Sequence, residues 1–244
     1  MELSKKVALI TGATAGIGRE AAKLLAAEGA EIIITGRHAE RGAATVRAIM
    51  RDGGAARFVQ ADLADLASMR QLAREAGEVD ILVNNAAAFP MGPALSVGVE
   101  AFDAALATNI RAPYFLTAAL APAMVAKGSG SIVNITTMAA YVGMPGTSAY
   151  AATKAALSSL TRTWAAEFSP AGVRVNTLSP GPTRTETVVA AMGDAAAEHV
   201  GKTTLLGRQA SPREIAEAIL FLASDRSSYI TGATIAVDAG RTAI

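Results

Sequence analysis

Apolar residues along this chain fall into two alternating patterns. Short runs rich in β-branched residues predict strands at Val7–Thr11, Glu31–Thr35, Arg57–Ala61, Ile81–Asn84, Ser131–Ile135, Val173–Leu178 and Thr234–Val237. Several of these runs are continuously apolar, as strands covered on both faces must be. Between them, helical spacing predicts helices over Ile17–Glu28, Ala39–Arg51, Leu66–Ala76, Val99–Ala126, Ala149–Phe168 and Pro212–Ser224, with Val99–Ala126 expected to be broken. The last of these has a defined start: Ser211 caps, Pro212 takes the first position, and Glu214 lies three residues after the cap. Strands alternating with helices predict an α/β fold, a doubly wound parallel sheet of about seven strands with helices on both faces. No linker or internal repeat interrupts the pattern, so one domain is expected over residues 1–244. Residues 183–208 follow neither pattern. They carry Gly193, Gly201 and Gly207 and follow a Pro-Gly-Pro turn, and a loop-rich excursion after a strand's C-terminal end is where a substrate lid is expected.

Composition narrows the function classes. The 244 residues are 51% hydrophobic and 18% charged, so much of the chain must lie in a core or a subunit interface. The richest apolar stretch, Phe115–Ala126, is Ala-rich and contains Pro122, and it falls short of the roughly 18–20 residues a bilayer span needs. No signal peptide is expected, because the first six residues lead straight into a strand pattern, and cytoplasm is the expected location. The net charge is +1 with scattered cations, which argues against a nucleic-acid partner. Without cysteine there is no thiolate chemistry, and His38 and His199 are too few and too far apart to suggest a metal.

The first strand runs into Thr11-Gly12-Ala13-Thr14-Ala15-Gly16-Ile17-Gly18 and then a helix. Such a turn lets backbone approach a diphosphate and aims free N–H groups and the positive end of the helix dipole at it. The spacing is neither G-x-G-x-x-G nor a P-loop. It resembles the short-chain dehydrogenase/reductase family, in its short single-domain branch of 3-oxoacyl reductase-like members, and the resemblance runs over essentially the whole chain. It implies a Rossmann-type dinucleotide fold that moves a hydride between a nicotinamide and a small carbonyl or alcohol. The second strand ends Thr35-Gly36-Arg37-His38, with glycine where an acidic residue would select NAD and an arginine at once after it. A guanidinium pairs with a 2′-phosphate that a carboxylate would repel, so NADP(H) is expected over NAD(H). Asp62-Leu63 resembles the family's adenine contact. Asn84-Asn85-Ala86-Ala87 resembles its Asn-Asn-Ala-Gly, with Ala87 departing from the pattern. Pro180-Gly181, Thr183 and Thr185 resemble the segment that passes the nicotinamide, Thr185 matching the threonine on the carboxamide.

Tyr150 and Lys154 are four residues apart in a helical stretch, so phenol and ammonium share one face. A free tyrosine titrates near ~10, and a neighbouring cation stabilises the phenolate. By resemblance Tyr150 is the acid/base, Lys154 tunes it and holds the ribose, and Thr137 takes the place of the family's catalytic serine. Asn109 then completes a proton relay through water. Threonine for serine keeps the hydroxyl and adds a methyl that stiffens and narrows the site. Substrate walls are expected from Ala88, Phe89, Pro90, Met91, Tyr141, Met144, Val188, Val189 and Met192. These suit a moderately apolar ketone such as a 3-oxoacyl thioester or an alicyclic ketone. The resemblance also implies a homotetramer. The rival reading is a non-catalytic NADP(H) sensor regulating a partner, which has no need of the tyrosine–lysine pair.

Overall fold

The computed structural model describes all of residues 1–244. Its strands are β1 (Val7–Thr11), β2 (Glu31–Gly36), β3 (Ala55–Gln60), β4 (Ile81–Asn84), β5 (Gly130–Ile135), β6 (Val173–Pro180) and β7 (Thr234–Val237). They form one seven-stranded, all-parallel sheet in the order β3-β2-β1-β4-β5-β6-β7. The helices are α1 (Gly16–Ala27), α2 (Ala39–Arg51), α3 (Leu66–Ala76), α4 (Val99–Leu106), α5 (Ala112–Lys127), α6 (Ser148–Phe168), α7 (Glu186–Met192), α8 (Asp194–Lys202) and α9 (Pro212–Ala223). None is long and apolar enough to cross a membrane.

Alternation along each strand explains the continuous apolar runs. Ala8 and Ile10 of β1, with Ile32 and Ile34 of β2, pack under α1 and α9 against Leu25, Ile215 and Ile219. Leu9, Ile33 and Leu82 point the other way, against Leu72 of α3, Leu116 and Leu120 of α5, and Leu157 of α6. Each such leucine or isoleucine, taken out of water, contributes about 1.5–3 kcal/mol. The chain winds outward from β1 in one direction and from β4 in the other. Loops at the C-terminal ends of these two strands therefore diverge and leave a crevice between them.

A buried polar chain also crosses the sheet. Asn84 Nδ2 of β4 donates to Asn134 Oδ1 of β5 at 2.8 Å, and Asn134 Nδ2 donates to Thr161 Oγ1 of α6 at 2.8 Å. Thr177 of β6 donates to the same Thr161 oxygen at 2.9 Å, while Thr161 donates to Leu157 O at 3.0 Å. Apolar contact alone would let α6 slide; these directional bonds fix its height and rotation on the sheet.

Three segments differ from expectation. β3 begins at Ala55 rather than Arg57, pairing Ala55 and Ala56 with Glu31 and Ile32; two alanines carry little strand signal. The stretch expected to break continues from α4 into α5 through a widened π-helical turn, Ala107–Arg111, and Pro122 is accommodated on the exposed side of α5. Residues 183–208, expected to be loop-rich, contain α7 and α8, separated by Gly193 at φ 79° and too short to show a periodic stripe.

Asp80 stitches the N-terminal edge of the sheet. Its carboxylate accepts from Val7 N at 2.9 Å and pairs with Lys127 at the end of α5, while its carbonyl accepts from Ser131 N at 2.9 Å. Burial works against the ionised form. The Lys127 and Val7 bonds outweigh it and hold the carboxyl below its usual 3.8. A depressed carboxyl stabilises the fold above its unfolded pKa, and that contribution is lost as pH falls through the folded value. Asp80→Asn should therefore cost about 1–2 kcal/mol at neutral pH in urea unfolding. The gap to wild type should close as pH is lowered toward 3; a constant gap would refute the ionic contribution.

Candidate active site

One cavity of about 530 Å³ opens at the C-terminal ends of the strands, on the crevice between β1 and β4. Gly12, Thr14, Gly16 and Ile17 line one part of it, and Gly18 is buried behind them. Gly12 has φ +65°, and a Cβ on it would lie 2.8 Å from Ala86 Cα, so the turn closes only without a side chain. Asn85 holds the turn from the other strand: its Nδ2 donates to Thr11 O at 2.8 Å and Gly12 O at 3.2 Å. The N–H groups of Asn85 and Ala86 both donate to Thr11 Oγ1, at 2.9 and 3.0 Å. The N-terminus of α1 has no side-chain cap and no acidic residue in its first turn. Its free N–H groups and dipole therefore face the cavity uncompensated, and an anion of diphosphate type fits this cradle.

Beyond β2 the lining turns cationic, with Gly36, Arg37, His38 and Arg41, followed by Asp62 and Leu63. A Cβ on Gly36 would meet Thr14 Cγ2 at 2.8 Å, so any side chain here would be forced against the glycine turn. Neither Arg37 nor Arg41 has a carboxylate partner. Arg41 was missed in the sequence. The available signal was its place in the first turn of α2, directly after the loop that carries Arg37. Asp62 turns its carboxylate back onto Ala64 N at 2.9 Å, which shapes the loop that carries Leu63.

Thr137, Tyr150 and Lys154 meet at the other end. Lys154 is 1% exposed, and its Nζ donates to Ile135 O at 2.8 Å and lies 5.8 Å from the centre of the Tyr150 ring. Burial brings its pKa down to about 7. Burial also pushes Tyr150 up to about 12, against the opposing hydrogen bond with the Thr137 hydroxyl. With no ligand bound, the phenol is thus a proton donor throughout the neutral range. The Thr137 oxygen also accepts from Ala139 N at 3.3 Å.

Asn109 sits in the π-helical turn, fully buried, and does not line the cavity. Its Oδ1 accepts from Ala88 N at 2.8 Å, and its Nδ2 donates to Ala88 O at 2.9 Å and Thr153 Oγ1 at 2.9 Å. Both amide hydrogens are used, and none reaches Lys154. The side chain holds the loop after β4 to α6, a role that its position in the sequence did not reveal.

Of the expected walls, Ala88, Phe89, Met144, Val188 and Met192 line the cavity. Pro90, Met91, Tyr141 and Val189 do not. Tyr141 turns away, its hydroxyl 2.9 Å from Ser158 Oγ and 3.4 Å from Thr234 Oγ1. Pro180, Gly181, Thr183 and Thr185 form the floor. Thr185 caps α7 by accepting from Val188 N at 3.2 Å, and Ala210 pins the segment by donating to Pro182 O at 2.8 Å and accepting from Arg184 N at 2.9 Å.

A family model described as enoyl-(acyl carrier protein) reductase matches residues 12–242. A solved short-chain dehydrogenase/reductase family protein is 55% identical with a TM-score of 0.95, each chain covered over 100%. A gluconate 5-dehydrogenase from Burkholderia cenocepacia J2315, solved in complex with NADP and tartrate, is 35% identical with a TM-score of 0.93, covering 100% of this chain and 97% of the other. Cis-4-hydroxycyclohexanecarboxylate dehydrogenase of Sinomonas cyclohexanicum is 37% identical over 246 residues, 99% of this chain and 98% of that protein. With glycine turn, switch-point cavity and tyrosine–lysine helix in one parallel sheet, the chain belongs to the short-chain dehydrogenase/reductase family of oxidoreductases.

Proposed function

We propose that this protein is an NADP(H)-dependent ketone reductase/alcohol dehydrogenase in which Tyr150 is the acid/base. The observation that carries the reading is the polarity of one cavity, with unpaired Arg37 and Arg41 at one end and Thr137, Tyr150 and Lys154 at the other. The N–H groups around Gly12, Thr14, Gly16, Ile17 and Gly18 would hold the diphosphate, Arg37 and Arg41 the 2′-phosphate, and Asp62 and Leu63 the adenine. Asn85, Ala86, Pro180, Gly181, Thr183 and Thr185 would border the nicotinamide half, with Lys154 on its ribose.

Bound NADPH supplies the hydride. For reduction, Thr137 donates a hydrogen bond to the substrate carbonyl oxygen and orients it. Tyr150 gives that oxygen its proton, so the alcohol leaves neutral. Lys154, its ammonium close to the phenol, stabilises the phenolate that remains. Asn109 keeps the loop after β4 and the helix of Tyr150 in fixed relation. Oxidation runs through the same groups in reverse and begins from the phenolate. A single domain with residues 183–208 as lid, assembled as a cytoplasmic homotetramer, completes the proposal. Exposed Tyr114, Phe115 and Val125 on α5 and the free edge of β7 support the assembly.

In NADPH-consumption assays over ketones, 3-oxoacyl thioesters and quinones, Tyr150→Phe should lower kcat on any working substrate by about 100-fold or more. Silence of the wild type across the panel despite tight NADPH binding would favour a sensor instead. Arg37→Ala should raise the NADPH Kd about 10- to 100-fold, as loss of a charge-assisted bond does, and leave NADH nearly unchanged. Arg41→Ala should act in the same direction, and equal effects on the two cofactors would refute the phosphate role. Because the phenol lies far above neutrality, alcohol oxidation should climb with pH from 7 upward. An oxidation rate independent of pH would exclude Tyr150 as the base.

A further inference from the structure

Beyond Tyr150 the cavity is neutral. Its walls there are Phe89, Met138, Met144, Val188, Met192 and Val200. The charged lining residues Arg37, Arg41 and Asp62 gather beyond β2 and β3, and the Lys154 Nζ is buried against Ile135 O. Cations near the mouth are engaged. Arg184 pairs with Asp194, Lys202 with Glu198 at 2.9 Å, Arg208 with Glu214 at 2.7 Å, and Arg19 with Glu186 at 3.2 Å. Thr187 and Gln209 add uncharged polar groups to this lining, so a carboxylate brought here would lose water and meet no cation in return. A phosphate-bearing carrier arm would have to displace these ion pairs, because the unpaired Arg37 and Arg41 lie at the opposite end of the cavity.

Phe89 is the one aromatic wall residue, and it is held rigidly. Its ring meets the Tyr150 ring edge-on, with centroids 4.6 Å apart and an interplanar angle of 79°. The preceding residue, Ala88, is clamped through both its N–H and its C=O by Asn109. Asn109 donates in turn to Thr153 Oγ1, and Thr153 donates to Tyr150 O at 2.7 Å. Phe89, Ala88, Asn109, Thr153 and Tyr150 thus form a closed circuit. Apolar wall and proton donor move as one body, so a substrate ring packed on Phe89 is placed beside the phenol at little further entropic cost.

Resting on the ketone–alcohol reading above, we propose that the substrate is a compact, uncharged cyclic ketone or its alcohol, and that Phe89, held by Asn109, is the specificity-determining residue against which its ring packs. A free small molecule, not a thioester on an anionic carrier, fills the site.

The test measures NADPH-dependent kcat/KM for cyclohexanone, 4-oxocyclohexanecarboxylate, acetoacetyl-CoA and 2-hexanone, with Tyr150→Phe as control. Cyclohexanone should exceed the carboxylate and the thioester by about 100-fold or more, the desolvation cost of an unpaired charge being at least that large. Phe89→Ala should lower kcat/KM for cyclohexanone about tenfold, in KM more than kcat, with a smaller loss for 2-hexanone, and Phe89→Leu should recover part of it. NADPH affinity, read by fluorescence, should be unchanged in both variants, which shows that they fold. Equal or better turnover of the carboxylate or thioester, abolished by Tyr150→Phe, overturns the substrate class and leaves the ketone reading standing. A uniform loss over all ketones in Phe89→Ala overturns the role of Phe89. No turnover of any ketone by NADPH-bound wild type overturns both readings.

Discussion

The seat of α6 on the sheet is the constraint on which the site depends. Lys154 and Tyr150 ride on the first two turns of that helix, and its seat brings the lysine Nζ to the carbonyl at the end of β5. Leucines under α6 supply attraction but no address. The address comes from Thr161, which gathers bonds from Asn134 and Thr177 and returns one to its own helix. This polar chain is shielded from water, so breaking one link strands a buried partner, and alternative seats are disfavoured more strongly than the net worth of any single bond suggests.

On this seat the two titratable groups are pushed in opposite directions by the same cause. Low polarity around them raises the phenol and lowers the ammonium. Each is driven toward its neutral form. The far end of the cavity is built in the opposite way, with exposed guanidinium groups that water screens until an anion replaces it. One cavity thus joins a dry end, where Lys154 is buried, to a wet end, where Arg37 and Arg41 are exposed.

How much of this the sequence showed depended on the range of the interactions. The glycine turn and the Tyr150–Lys154 spacing were legible because both are local: a strand end, a helix start and a four-residue separation decide them. The central strands were legible because burial on both faces leaves unbroken apolar runs, whereas the edge strands β3 and β7 are only partly buried. Elements whose shape is decided elsewhere were not. Tyr141 reads as a pocket residue by proximity to Thr137 and Tyr150, yet Ser158 and Thr234 draw it to the other side of α6. The helices between residues 183 and 208 are too short for periodicity, and their caps and the pin at Ala210 define them instead. The partners of Asn109 lie 21 and 44 positions away, beyond any spacing rule.

The widened turn at Ala107–Arg111 has a consequence for chain length. An α-helix advances about 100° and 1.5 Å per residue, so the surplus residue in this turn indexes α4 against α5 like a tooth in a gear. Removing or adding one residue between Val99 and Ala112 would rotate one half of the rod against the other. Either Asn109 would swing away from Ala88 or Leu116 and Leu120 would leave the core. A change in length in the loop at residues 90–98, ahead of the rod, leaves the gear unturned.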